Sequence, residues 1–181
     1  GVTAASALAQ DSSTKPETVP HAGVTRPLTD KEKVARIASN SYPIRFNFKT
    51  RNRENDQKSQ EMQKKYGTRT LLDFPTFTKE HFPGVYHMDV WNSLFGDPAD
   101  DSMYVPITFQ GNGGRQRTWS EFDPSTPSSK KWLDQFANKC VTTGTKVHHI
   151  SNNAPRDICE LDDTKRRAGV EVAKKWLDAA A

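Results

Sequence analysis

The chain has little of what a self-contained globular core is made from. Only 34% of its 181 residues are hydrophobic and its mean hydropathy is −0.82, so apolar residues must be concentrated on few faces to bury anything. No apolar run approaches the roughly 20 residues that a membrane-crossing helix requires, which excludes such a span. Cysteine is scarce: Cys140 and Cys159 are the two in the chain, and their separation matches no zinc-ligand spacing. They read either as one disulfide in an exported protein or as two free thiols. Charge of one sign is not dominant either. The net charge of +4 is spread along the sequence. The densest basic runs, Lys49–Arg53 and Lys165–Arg167, read as solvated helix faces rather than a phosphate track, so nucleic acid is not an expected partner.

Familiar catalytic signatures are missing as well. Gly111–Gly114 is followed by neither a Lys-Ser/Thr pair nor a helix start, which argues against a phosphate cradle. No Gly-x-Ser-x-Gly nucleophile motif occurs. The pair His148-His149 does not reproduce the His-Glu-x-x-His arrangement of metalloproteases.

What is present is alternation. Val34–Ser41 predicts a strand that breaks at Tyr42-Pro43. Residues 51–66 are polar and helix-compatible, with Gly67 to end them. Residues 71–82 suit a short helix, with Asp73 to cap it and Pro75 in its first turns. Val85–Leu94 alternates apolar and polar side chains as a strand does. Residues 97–129 are loop-rich and predict an insertion, and Ser129–Cys140 predicts a helix with Trp132, Leu133 and Phe136 on one side. Lys146–Asn153 predicts a third strand, Ala154–Leu161 a loop, and Asp162–Ala181 an amphipathic helix. In that helix Gly169, Val172, Ala173, Trp176, Leu177 and Ala180 recur at the spacing of one buried face, and Asp162 and Asp163 put negative charge where the dipole favours it.

Strand–helix alternation of this kind predicts an α/β fold with a parallel sheet, here three βα units with an insertion between strands two and three. Three parallel strands alone would leave open edges and a bare face. Residues 31–181 are therefore expected to be the front part of a larger domain.

The first residues differ. Gly1–Ala9 (GVTAASALA) is small and apolar and ends in Ala7-Leu8-Ala9, which reads as a signal-peptide remnant lacking its charged start; a disordered tail is the alternative. Residues 10–30 hold three prolines and read as a disordered linker. The first segment resembles the tail of a twin-arginine signal, which implies export to the periplasm or beyond.

The run LLDFPTFTKEHFPGVYHMDVWNSLFGD (71–97) resembles the segment leading into the second strand of xylose-isomerase-like TIM-barrel proteins, usually labelled sugar phosphate isomerase/epimerase. ARIASNSYP (35–43) is similar to that family's first strand, and DDTKRRAGVEVAKKWLDAAA (162–181) to its third helix. The resemblance implies a partial (β/α)8 barrel over residues 31–181, with a carbohydrate-binding site at the C-terminal ends of the strands. It implies a divalent metal (Zn, Mn or Mg) held mostly by Glu, Asp and His on later strands outside this chain, and proton transfer next to a carbonyl. The partners implied are a small carbohydrate and the remaining C-terminal part of the same barrel. Two other readings share the scaffold: a non-catalytic carbohydrate-binding barrel, and an enzyme resembling zinc endonucleases that cut at abasic sites.

Barrel strands deliver function at their C-terminal ends. The candidate substrate-binding residues are Asn40 from strand one, Asp89, Trp91 and Asn92 from strand two, and His148, His149 and Asn152 from strand three. Asp89 either contacts substrate hydroxyls or forms an ion pair with Lys or Arg on a neighbouring strand. Trp91 either stacks on a sugar ring or belongs to the core or rim. Adjacent strand residues point to opposite faces, so His148 and His149 cannot ligate one metal together in regular geometry; one is expected at the barrel mouth and the other against a helix.

Overall fold

The computed structural model describes residues 26–110, 113–153 and 158–181. The signal-like segment and most of the linker lie outside the described residues, as does part of the loop expected at 154–161. Helix α1 (Asp30–Val34) starts at Thr29, which caps it reciprocally with Glu32. The expected strand from Val34 is therefore shorter: Val34 closes α1, and strand β1 covers Ala38–Asn40. The cap supplies the reason, because it commits the preceding residues to helical geometry.

After a 3-10 turn at Arg45–Asn47, helix α2 (Gln57–Tyr66) begins at Asp56, whose side chain accepts from the Ser59 amide, and it stops at Gly67 with φ of 84°. Helix α3 (Phe74–His81) follows a 3-10 turn at Leu71–Asp73, with Pro75 in its first turn. Asp73 does not cap α3 through its side chain; its carboxylate instead accepts from the amide and hydroxyl of Thr70. Strand β2 (His87–Trp91) comes next. The expected loop-rich insertion contains a β-hairpin, strands β3 (Tyr104–Gln110) and β4 (Gln116–Phe122), paired antiparallel. Helix α4 (Pro127–Thr143) is capped by Thr126 and ended by Gly144 in the left-handed region. Strand β5 (Lys146–Ser151) and helix α5 (Asp163–Ala180), capped by Asp162, complete the order.

The protein is thus mixed α/β, with a parallel sheet in the order β1-β2-β5 and a separate hairpin. Met88 and Val90 of β2 are fully buried and form the sheet's contribution to the core. They belong to one cluster with Phe48, Leu71 and Phe74 and with an aromatic knot centred on Phe95. The Phe95 ring lies 5.7 Å from Phe122, 5.6 Å from Trp132, 5.9 Å from Phe136 and 5.3 Å from Trp176. One ring therefore joins the hairpin root, α4 and α5, so the scarce hydrophobic residues are pooled instead of layered. Gly96 beside it has φ of 91°, and a Cβ there would meet the Tyr104 hydroxyl at 2.5 Å and the Phe122 ring at 2.9 Å. Only glycine lets the chain turn that close to the hairpin.

The hairpin is tied back to the loop after β1. The Asn52 amide donates to the Ser120 carbonyl at 2.6 Å and accepts from the Ser120 amide at 2.9 Å, as a neighbouring strand would. Arg51 donates to the Pro98 carbonyl at 2.7 Å and pairs with Asp101. The basic run at 49–53 is consequently not a solvated helix face: it lies ahead of α2 and packs against the hairpin. Arg166 and Arg167 do sit on a helix face, pairing with Asp163 one turn back. No helix among the described residues is long and apolar enough to cross a membrane.

Candidate functional site

Strand parity decides which side chains meet. With Met88 and Val90 turned into the core, His87, Asp89 and Trp91 occupy the opposite face of β2. The parallel register sets Asn40 of β1 beside Asp89, and His149 of β5 on its other side. The Asp89 carboxylate is gripped from both neighbouring strands: the Asn40 amide donates to one oxygen at 3.0 Å, and the Ser151 hydroxyl donates to the other at 2.8 Å. Of the two roles open to Asp89 from the sequence, an ion pair with Lys or Arg is not what the described residues provide. Its partners are neutral. A carboxylate can accept about four hydrogen bonds, so each oxygen keeps acceptor capacity on the exposed side of the sheet.

Asn40 is itself held, its carbonyl oxygen accepting from the Tyr42 amide at 2.8 Å. Ser41 extends the ladder, donating its amide to the Asp89 carbonyl at 3.0 Å and accepting the Trp91 amide on its hydroxyl at 2.9 Å. Trp91 is buried, with Tyr42 edge-on to its ring at 5.0 Å and the Arg53 guanidinium 5.1 Å from the ring centre. It belongs to the buried hydrophobic cluster. Asn92 is also buried, and its carbonyl oxygen accepts from the Asn153 amide at 3.3 Å, which ties the end of β5 to the end of β2. Asn152 is exposed at the same end.

The two histidines depart from regular alternation. The register slips between Met88 and Asp89, so that Met88 faces Val147 but Asp89 faces His149. His148 is the extra residue of a bulge. Both histidines are exposed, and neither is packed away against a helix as alternation predicted. The His148 ring lies 5.2 Å from that of His87, whose Nδ1 is buried without a hydrogen-bond partner. Among the described residues no three His, Cys, Asp or Glu side chains converge as a metal ion would need. Cys140 is buried and Cys159 exposed, and both are free thiols; burial pushes the Cys140 thiol above its usual range.

The sequence missed Ser151, because nothing local links it to an aspartate 62 residues away. It also missed Arg45, Arg53 and Lys58, which gather on the rings of Tyr42, Phe46 and Trp91. The interleaving of arginine and aromatic residues after β1 was the available signal.

Beside β5, helices α4 and α5 and the strand line an open cleft of about 800 Å³, bordered by Val147, Ile150, Phe136, Cys140, Trp176 and Leu177 and also by the candidate residues His148, His149 and Asn152. It runs along the strand edge that has no partner in the sheet. No protein-family model, curated protein or solved structure matches the chain.

Proposed function

We propose that the chain forms the opening βα units of a (β/α)8 barrel of the sugar phosphate isomerase/epimerase type, and that its share of the work is to bind carbohydrate hydroxyls. The observation that carries this is the Asp89 carboxylate, held by Asn40 and Ser151 across three adjacent parallel strands near their C-terminal ends. An acceptor fixed by neutral neighbours keeps its charge for polyol hydroxyls, which are donors of the matching kind. The sequence likeness over residues 71–97 supports the barrel, as does the unpaired edge of β5 with the apolar cleft behind it, where a further parallel strand and its helix would fit. Metal-assisted proton transfer, the reaction the likeness carries, would need ligands beyond those found here, and no step is assigned to Asp89. Export rests on the resemblance of Gly1–Ala9 to a signal segment.

The test is a nuclear magnetic resonance titration of the chain with neutral aldoses and ketoses. Backbone amides of Asn40, Asp89 and Ser151 are expected to shift, and Asp89→Asn, which keeps the shape but removes the charge, is expected to weaken binding about tenfold. No shift at these three positions with any sugar would reject the reading.

A further inference from the structure

Two imidazoles lie side by side on the parallel sheet, and the polyol reading uses neither. His87 opens β2 half-buried, and its Nδ1 is enclosed without a hydrogen-bond partner. His148 is exposed on β5, and its ring makes no hydrogen bond among the described residues. The two ring centres are 5.2 Å apart, with the planes at 65°.

The bulge brings them together. The register passes from Met88 opposite Val147 directly to Asp89 opposite His149, which leaves His148 over. In unbroken pairing His148 would stand against Asp89, and His149 would turn toward the core. The slip instead keeps both histidines of β5 exposed and lays the His148 ring beside that of His87. An interrupted ladder and an unsatisfied ring nitrogen both cost stability. Apolar burial does not offset that cost at His148, which is exposed.

The separation has a chemical meaning. A tetrahedral zinc ion holds imidazole nitrogens at about 2.0–2.1 Å, which puts each ring centre about 3.2 Å from the metal and two ring centres about 5.2 Å apart. A square-planar ion draws neighbouring rings closer, to about 4.5 Å. The spacing of His87 and His148 is that of the tetrahedral case. In the tautomer protonated at Nε2, an unsatisfied Nδ1 is a free lone pair, and neutral imidazole is a ligand of this ion class. Lys146, opposite His87 in register, is exposed, and its long stem lets the ammonium stay in water.

We propose that His87 and His148 form a two-histidine site for a late first-row divalent ion of the zinc type. Two protein ligands leave the other positions to water, so the bound ion is exchangeable and does not hold the fold together. The site stands apart from the metal centre that the sequence likeness implies, which is expected on later strands; His87 lies at the N-terminal end of β2. It does not rest on the polyol reading.

The experiment is calorimetric titration of the whole chain, free of any affinity tag, with Zn2+ and with Mg2+, together with nuclear magnetic resonance of the histidine rings. One Zn2+ per chain is expected to bind, while Mg2+, which prefers oxygen ligands, is expected to give no heat. The ring signals of His87 and His148 are expected to move together, with those of His81 unmoved. His148→Gln, at an exposed position, is expected to weaken Zn2+ binding at least about tenfold, and His87→Gln to do the same. His81→Gln is expected to bind as the parent does. Equal Zn2+ affinity in the parent and in a folded His148→Gln chain would overturn the site, and so would ring shifts at His149 in place of His148. No arm contains a sugar, so failure here leaves the polyol reading standing.

Discussion

Trp176 anchors α5, and two substitutions there separate what its bulk contributes from what its nitrogen costs. The side chain is 6% exposed, with its ring 5.3 Å from Phe95, nearly perpendicular, and 5.9 Å from Phe122. Truncation of a buried large aromatic residue costs about 3–5 kcal/mol through lost transfer energy and the cavity left behind. The indole N–H, however, is buried without a partner, a penalty of about 1–3 kcal/mol that truncation removes. Trp176→Ala is therefore expected to destabilise by about 2–3 kcal/mol. Trp176→Phe keeps most of the ring contact and drops the orphan donor, so it is expected to lie within about 1 kcal/mol of the parent. Urea unfolding followed by far-ultraviolet circular dichroism measures both, with equal slopes required for a fair comparison. Trp176→Phe proving as costly as Trp176→Ala would refute the reasoning, because it would mean that the indole nitrogen is satisfied. A loss under about 0.5 kcal/mol for Trp176→Ala would mean that α5 is not docked on the knot.

The ion pair next to that tryptophan carries a pH dependence. Burial alone would raise the Asp123 carboxyl, but the hydrogen bond from Lys175 at 2.7 Å, together with those from Ser125, outweighs it and leaves the group below its usual range. Its contribution is therefore complete above the unfolded carboxyl pKa, near about 4, and is lost as pH falls through the lower folded value. Asp123→Asn is expected to cost about 1 kcal/mol at neutral pH, reduced by the exposure of Lys175, and progressively less as pH falls below about 4; melting curves across the acid range check this. Asn52→Ala removes both side-chain bonds to Ser120 and is expected to destabilise by about 1–2 kcal/mol. Hydrogen exchange at the Ser120 amide is expected to quicken in that variant while exchange in β2 is unchanged; protection unaltered at Ser120 would contradict the clasp.

Where periodicity was strong, the sequence was a sufficient guide. The recurrence of Gly169, Val172, Ala173 and Trp176 places α5 and its packed face, but Leu177 and Ala180, expected on that face, are exposed; the alternation through Val85–Leu94 places β2, with Met88 and Val90 on its buried side. Asp89 and Asn40 were reachable because strand parity and a parallel sheet put them side by side. The hairpin was not legible: residues 97–129 as a whole read as loop, and the two strands hold each other by pairing that neither signals alone. The bulge at His148 was invisible for a related reason, since a register slip is set by the strand opposite. The cation cluster escaped because Arg45, Arg53 and Lys58 share a ring only after the turn at Arg45–Asn47 folds back on α2.

The surplus residue in β5 has one further bearing. Without His148 the remaining side chains already alternate correctly: Val147 inward, His149 outward, Ile150 inward, Ser151 outward. Shortening the strand by that single position would restore unbroken pairing and leave Ser151 over Asp89. Packing therefore does not demand the additional imidazole. The backbone there holds slack, a point at which chain length can vary while the polar surface keeps its arrangement.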